Sequence, residues 1–168
     1  MSGKTYKESY EKYRLFFTKT SFRMSVLRFV YFFCPYAMAL GYVLCLIVSA
    51  GMGKVQLFRS LLGPMLAFLG VSVFRSLMDF RRPYEQDGII PLIGKEKQGH
   101  SFPSRHAASA GVIATAWCGV SIPAGICFLI LAVLISASRV AAGVHYCRDV
   151  VVGLAIGIIC EWIVLIIF

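Results

Sequence analysis

Long apolar runs alternate along the chain with short polar breaks, and their spacing predicts the architecture. Residues 1–24 are polar and basic: Lys4, Lys7, Lys12, Arg14, Lys19 and Arg23 are interleaved with Tyr10, Tyr13, Leu15, Phe16 and Phe17. Cations mixed with aromatics in this way predict a helix lying on a membrane surface. An apolar run over 26–50 follows, long enough for the ~20 residues a bilayer-spanning helix needs. Pro35 falls inside it and predicts a kink. A second run covers 57–78, with Arg59 and Arg75 near its ends, where long side chains can snorkel to the headgroups. Residues 79–104 are rich in Pro, Gly and charge and read as a loop outside the hydrocarbon. Runs at 105–120 and 123–138 meet at Ser121-Ile122-Pro123 as a tight helical hairpin. After a polar stretch at 139–148, a last run covers 149–168.

The pattern therefore predicts an all-α, polytopic membrane helical bundle of about five transmembrane helices with an N-terminal interfacial helix. It divides into a basic amphipathic segment, 1–24, and a multi-pass transmembrane domain, 25–168, placed in the cell membrane. The first apolar run starts too late and is too long for a secretory signal peptide. Successive spans alternate sides. The end of the second, the start of the third, the end of the fourth and the start of the fifth then share one membrane face, where the unusual polar chemistry gathers.

Composition agrees with a membrane domain. Of 168 residues, 58% are hydrophobic, above the roughly 45–50% usual for soluble domains. Lys and Arg outnumber Asp and Glu by 17 to 8, giving a net charge of +9. A nucleic-acid binder would carry those cations on a polar domain, and the chain has none, so nucleic acid is excluded as a partner. Two uses of the charge are compatible: attraction to anionic membrane lipids and convergence of arginines on a phosphate-bearing substrate. The six cysteines show no C-x-x-C pairing and fall mostly in apolar runs, which predicts small buried hydrophobes rather than disulfides or a zinc site.

Three polar clusters carry chemistry. In the first, Arg75 precedes Arg82-Pro83 by seven residues, two helical turns, so both guanidiniums can share a face, and Pro83 stops the helix. Such forks suit phosphate oxygens, although basic residues flanking a membrane helix are common. The second is Pro103-Ser104-Arg105-His106, before a run of small residues; Ser104 reads as an N-cap, and free N–H groups at a helix start favour an anion. Ser109 reads as a packing residue. In the third, Ser138-Arg139 is followed by His145 and Asp149, four residues apart, so the carboxylate can orient one ring nitrogen and leave the other as base or nucleophile.

Together these segments resemble the signature of the type-2 phosphatidic acid phosphatase superfamily: K-x6-RP, PSGH, then SR-x5-H-x3-D. The match covers about 75–149 with the spacing inside each motif kept. Arg75 stands in place of the usual lysine and Arg105 in place of the glycine of PSGH. The resemblance implies a metal-independent hydrolase, without cofactor, acting on a phosphate monoester or diphosphate of a lipid: phosphatidic acid, phosphatidylglycerol phosphate or an isoprenyl diphosphate. It implies that His145 attacks phosphorus to form a phosphohistidine, that Asp149 orients it, and that His106 protonates the leaving oxygen and then activates water. Arg75, Arg82, Ser104, Arg105 and Arg139 would bind the phosphate.

Competing classes are a small membrane anion transporter or channel, a haloperoxidase-like vanadate enzyme, and an inactive scaffold of the same fold; the first leaves the histidines without a task. Glu85 and Asp87 read as surface partners of Arg81 and Arg82, Asp79 as a partner of Arg75 or Arg82, and His100 as a solvated loop residue. Glu161, deep in the last run, reads as a protonated carboxyl in an interhelical hydrogen bond or a homodimer contact. Gly153 and Gly157 suit close helix packing. The excess of N-terminal cations puts the catalytic face in the cytoplasm, whereas the resemblance implies an external one. Substrate choice would come from the 84–102 loop and the lipid-facing helices.

Overall fold

The computed structural model describes residues 3–94 and 98–168, with side chains from Tyr6 onward. Lys4 of the basic cluster and part of the 84–102 loop thus lie outside the described side chains. Helix follows helix: α1 (Gly3–Thr18), α2 (Ser21–Met52), α3 (Lys54–Leu77), the single turn α4 (Pro83–Gln86), α5 (Arg105–Val120), α6 (Ile122–Ala141) and α7 (Cys147–Ile167). Each break has a local cause. Thr20 is extended and separates α1 from α2. Gly53, at φ 123°, takes a conformation other residues avoid and turns α2 straight into α3. Extended Ser121 divides α5 from α6, whose first turn accommodates Pro123 because a proline there sacrifices no helical bond.

Four helices, α2, α3, α6 and α7, are long and apolar enough to cross a membrane. The expected fifth span, α5, has only 16 residues, about 24 Å at 1.5 Å per residue, and it is enclosed rather than lipid-facing: Ala107, Ala108, Ala110 to Trp117 are all buried. Small side chains allow this central position. On α7 a Cβ at Gly153 would meet the Ser104 carbonyl at 2.6 Å, and one at Gly157 would collide with the Ala108 carbonyl and the Val112 nitrogen. Gly111 of α5 returns the contact against the Leu154 carbonyl at 2.8 Å. The Gly-x-x-x-Gly pair is thus a backbone-to-backbone interface between α5 and α7.

Both internal prolines sit within unbroken helices, so Pro35 does not divide α2. A proline lacks the N–H that would bind the carbonyl four residues earlier, and hydrocarbon offers no water to replace it. In α3, Pro64 frees the carbonyl of Ser60, and Tyr42 Oη from α2 donates to it at 3.1 Å. The adjacent Ser49 and Ser60 hydroxyls pair at 2.9 Å. Glu161 is fully buried inside this same half of the bundle, against Gly63, where an added Cβ would clash with its carboxyl. It therefore lies within one bundle and is not a surface contact for a second copy. The expected interhelical hydrogen bond is also missing among the described residues. All six cysteines are free, and Cys127 and Cys147 are exposed rather than buried.

Candidate active site

At the end of α6 the chain must reverse within a few residues to begin α7. Gly143 makes the turn in the left-handed region, φ 79°, where Tyr10 Oη leaves no room for a side chain. The Val144 N–H then returns to the Arg139 carbonyl at 3.2 Å. This sets His145 just before α7 and Asp149 in its first turn. Asp149 Oδ2 accepts the Tyr146 N–H at 3.0 Å and lies 3.5 Å from His145 Nδ1. The expected His–Asp pair is formed.

A third member joins it. Ser101 Oγ donates to Asp149 Oδ2 at 2.5 Å and stands 3.4 Å from His145 Nδ1. With a carboxylate and a hydroxyl on the Nδ1 side, the ring proton is assigned to Nδ1, which leaves the Nε2 lone pair for chemistry. The three side chains are buried. Burial disfavours the imidazolium and holds the His145 pKa below 6.5; Asp149 opposes that shift, while Arg82 and Arg75 add to it by repulsion. His145 is accordingly neutral at pH 7. Only three histidines are present, so NMR titration of labelled protein, assigned with His100→Asn and His106→Asn, should give a His145 midpoint below 6.5. Asp149→Asn should lower the midpoint further, because it removes the group that favours the cation, and Arg82→Gln should raise it.

Ser101 belongs to a strap, residues 98–104, that the arginines of the first cluster hold. Arg75 Nη1 donates to the carbonyls of Ser101 (3.2 Å) and Pro103 (2.6 Å). Arg82 donates from Nε to Gly99 (3.0 Å) and from Nη1 to Val144 (3.3 Å). Arg75 is therefore buried in the site and does not snorkel. The strap ends at Ser104, whose N–H donates to the Asp149 carbonyl at 2.9 Å. Ser104 is the N-cap of α5 by backbone, yet its hydroxyl makes no capping bond and, fully buried, has no hydrogen-bond partner among the described residues. Arg75 feels the positive charge of both Arg105 and Arg82. Neither Arg75 nor Arg82 forms an ion pair with a carboxylate among the described residues.

From the first two turns of α5, Arg105, His106 and Ser109 form the polar wall of a cavity of about 290 Å³. Pro35 and Met38 of α2, Phe68 of α3 and Ile113 of α5 supply apolar lining. Ser109, expected to be a packing residue, faces this cavity. Arg139 is almost fully buried and turned to α2: Nη2 donates to the Tyr31 carbonyl at 3.1 Å, and its Cζ lies 3.9 Å above the Tyr31 ring centre.

The acidic residues behave differently from expectation. Among the described residues Asp79 pairs with no arginine; its Oδ1 accepts the His100 N–H at 2.9 Å. Glu85 Oε2 caps α4 through the Arg82 N–H at 2.7 Å, and its carboxylate accepts the Gly99 N–H. Asp87 accepts the Tyr146 hydroxyl at 2.7 Å. Acidic side chains next to loop backbone are worth more as acceptors for orphan N–H groups than as exposed partners for arginine. His100 is exposed as expected, with Nδ1 turned to the Arg75 carbonyl at 2.5 Å. Sequence reasoning missed Ser101 and Tyr31, since neither sits at a spacing that marks it, and it assigned Glu85 to arginine partners rather than to backbone N–H groups.

The bundle thus joins an oriented imidazole, a cluster of guanidiniums and a helix start at one end of a membrane domain. The family model of the PAP2 superfamily matches residues 37–168, and the chain belongs to that superfamily. Among solved structures it resembles Aquifex aeolicus LpxE, with a TM-score of 0.70 and 29% identity over 92% of this chain and 93% of that one. It also shares the fold of the first transmembrane PAP2 type phosphatidylglycerolphosphate phosphatase from Bacillus subtilis, with a TM-score of 0.61 and 22% identity over 96% of this chain and 83% of that one. No curated protein sequence matches the chain.

Proposed function

We propose that the protein hydrolyses a lipid phosphate monoester or diphosphate within the membrane, without a metal ion, through a phosphohistidine. One observation carries this reading: the buried His145–Asp149–Ser101 group lies within the fields of Arg75 and Arg82. His145 Nε2 attacks phosphorus, a P–N bond forms, and the P–O bond to the lipid breaks. His106 gives its proton to the leaving oxygen, then takes one from water as that water attacks the phosphohistidine. The P–N bond breaks, inorganic phosphate leaves, and Nε2 regains its lone pair.

Asp149 and Ser101 stabilise the proton on Nδ1 while His145 carries phosphorus. Arg75, Arg82, Arg105 and Arg139 supply positive charge, with the Ser104 hydroxyl and the N–H groups of the first turn of α5 as donors to the phosphoryl oxygens. Because the strap carbonyls already fix Arg75 and Arg82, little reorganisation accompanies charge development. The cavity supports a lipid substrate, because the apolar walls of α2 and α3 adjoin Arg105 and His106.

The test is phosphate release by detergent-solubilised protein from phosphatidic acid, phosphatidylglycerol phosphate and an isoprenyl diphosphate, each in EDTA. Turnover of at least one, unchanged by chelation, is the expected result. A strict divalent-metal requirement, or anion transport without hydrolysis, would overturn the proposal.

A further inference from the structure

The two prolines inside the spanning helices create the same problem and meet different partners. At Pro64 the freed Ser60 carbonyl is met by a tyrosine hydroxyl. At Pro35 the freed carbonyl is that of Tyr31, four residues earlier, and the donor is Arg139 Nη2. Tyr31 holds the guanidinium a second time, since its ring lies beneath the fork at 3.9 Å. One residue thus grips an edge of the guanidinium through its backbone and the face through its side chain. A normal residue at 35 would present an N–H competing for the same carbonyl.

From this geometry we propose that Tyr31 and Pro35 are positioning residues for Arg139, holding its fork in the orientation that binds the phosphoryl group. The inference rests on the reading of Arg139 as a phosphate ligand. A free arginine samples many rotamers, and freezing one before substrate arrives removes that entropic cost from binding. The link also reaches the nucleophile: the Arg139 carbonyl accepts the N–H of Val144, the residue before His145. Pro35 itself lines the cavity that holds Arg105 and His106, so α2 contributes to the site without a catalytic side chain of its own.

The experiment measures kcat/KM and thermal stability in detergent for Tyr31→Leu, Tyr31→Phe, Pro35→Ala and Arg139→Ala, with both Tyr31→Leu and Pro35→Ala repeated in the Arg139→Ala background. Loss of a desolvated cation–π contact corresponds to about a tenfold fall in kcat/KM for Tyr31→Leu. Tyr31→Phe keeps the ring and should restore most of that loss. Pro35→Ala, which leaves the ring in place, should lose several-fold. Neither Tyr31→Leu nor Pro35→Ala should add to the defect of Arg139→Ala. Tyr42→Phe is the control for carbonyl satisfaction alone, and it should lower stability while leaving kcat/KM within about twofold.

Should Tyr31→Leu and Pro35→Ala match the wild type, or lose as much in the Arg139→Ala background, the positioning role is wrong. Full activity in Arg139→Ala would instead sink the reading of Arg139 as a phosphate ligand, and the inference with it. If Tyr31→Leu does not fold, Pro35→Ala in the two backgrounds decides the matter.

Discussion

Replacement of His145 by alanine is expected to lower phosphate release by more than about 10⁴-fold while the protein remains folded. The size of the effect follows from its place at the centre of the site. The Nδ1 of His145 is committed to Asp149 and Ser101, which leaves Nε2 for attack. The fold should survive because the turn around it is made by Gly143 and by backbone bonds at Val144 and Asp149, none of which uses the imidazole. His106→Ala should behave differently. A general acid–base group contributes about 10²–10⁴-fold, so a measurable rate persists and the second, hydrolytic step slows. The comparison of the two variants separates attack from proton transfer.

Gly157→Val is expected to destabilise the bundle by more than about 4 kcal/mol, beyond the range of ordinary substitutions. A single added carbon at this position already collides with the Ala108 carbonyl and approaches the Val112 nitrogen at 2.7 Å. Those atoms are backbone on the central helix and cannot rotate away. Relief requires separation of α5 from α7, and the bond from the Ser104 N–H to the main-chain carbonyl of Asp149, which joins the strap to α7, lies on the same interface. Stability and activity should therefore fall together, read as the thermal midpoint in detergent and the initial rate. Gly70→Ala has open space around its Cβ and should change neither by much.

Apolar run lengths made the helices legible, since hydrocarbon thickness fixes how many residues a span needs. The 105–120 run misled in one respect: its alanines and glycines suit a helix surrounded by other helices as well as one surrounded by lipid, and only packing against Gly153 and Gly157 distinguishes them. Arg75, Arg82, His145 and Asp149 were readable from their spacing, yet neither pair shares a helix. α3 ends at Leu77 and Pro83 opens α4 rather than stopping a helix, so strap carbonyls hold Arg75 and Arg82. His145 stands before the first residue of α7. Ser101 was not, because a strap has no period, and its place depends on two arginines donating to strap carbonyls. Nor could Tyr31 be found. Its role comes from a carbonyl, which every residue has, made special by a proline four positions later. Acidic residues beside arginines invited an ion-pair reading, yet Asp79 and Glu85 serve backbone N–H groups of the strap.

What matters above all is covalent chemistry at one ring nitrogen. Brief reaction with a ³²P-labelled lipid phosphate, quenching in base to preserve an acid-labile phosphoramidate, and peptide mapping measure it directly. Label confined to the peptide containing His145, increased in His106→Ala and absent from His145→Ala, is the predicted outcome. Turnover with no labelled protein, or label that persists on another residue when His145 is gone, would contradict the account.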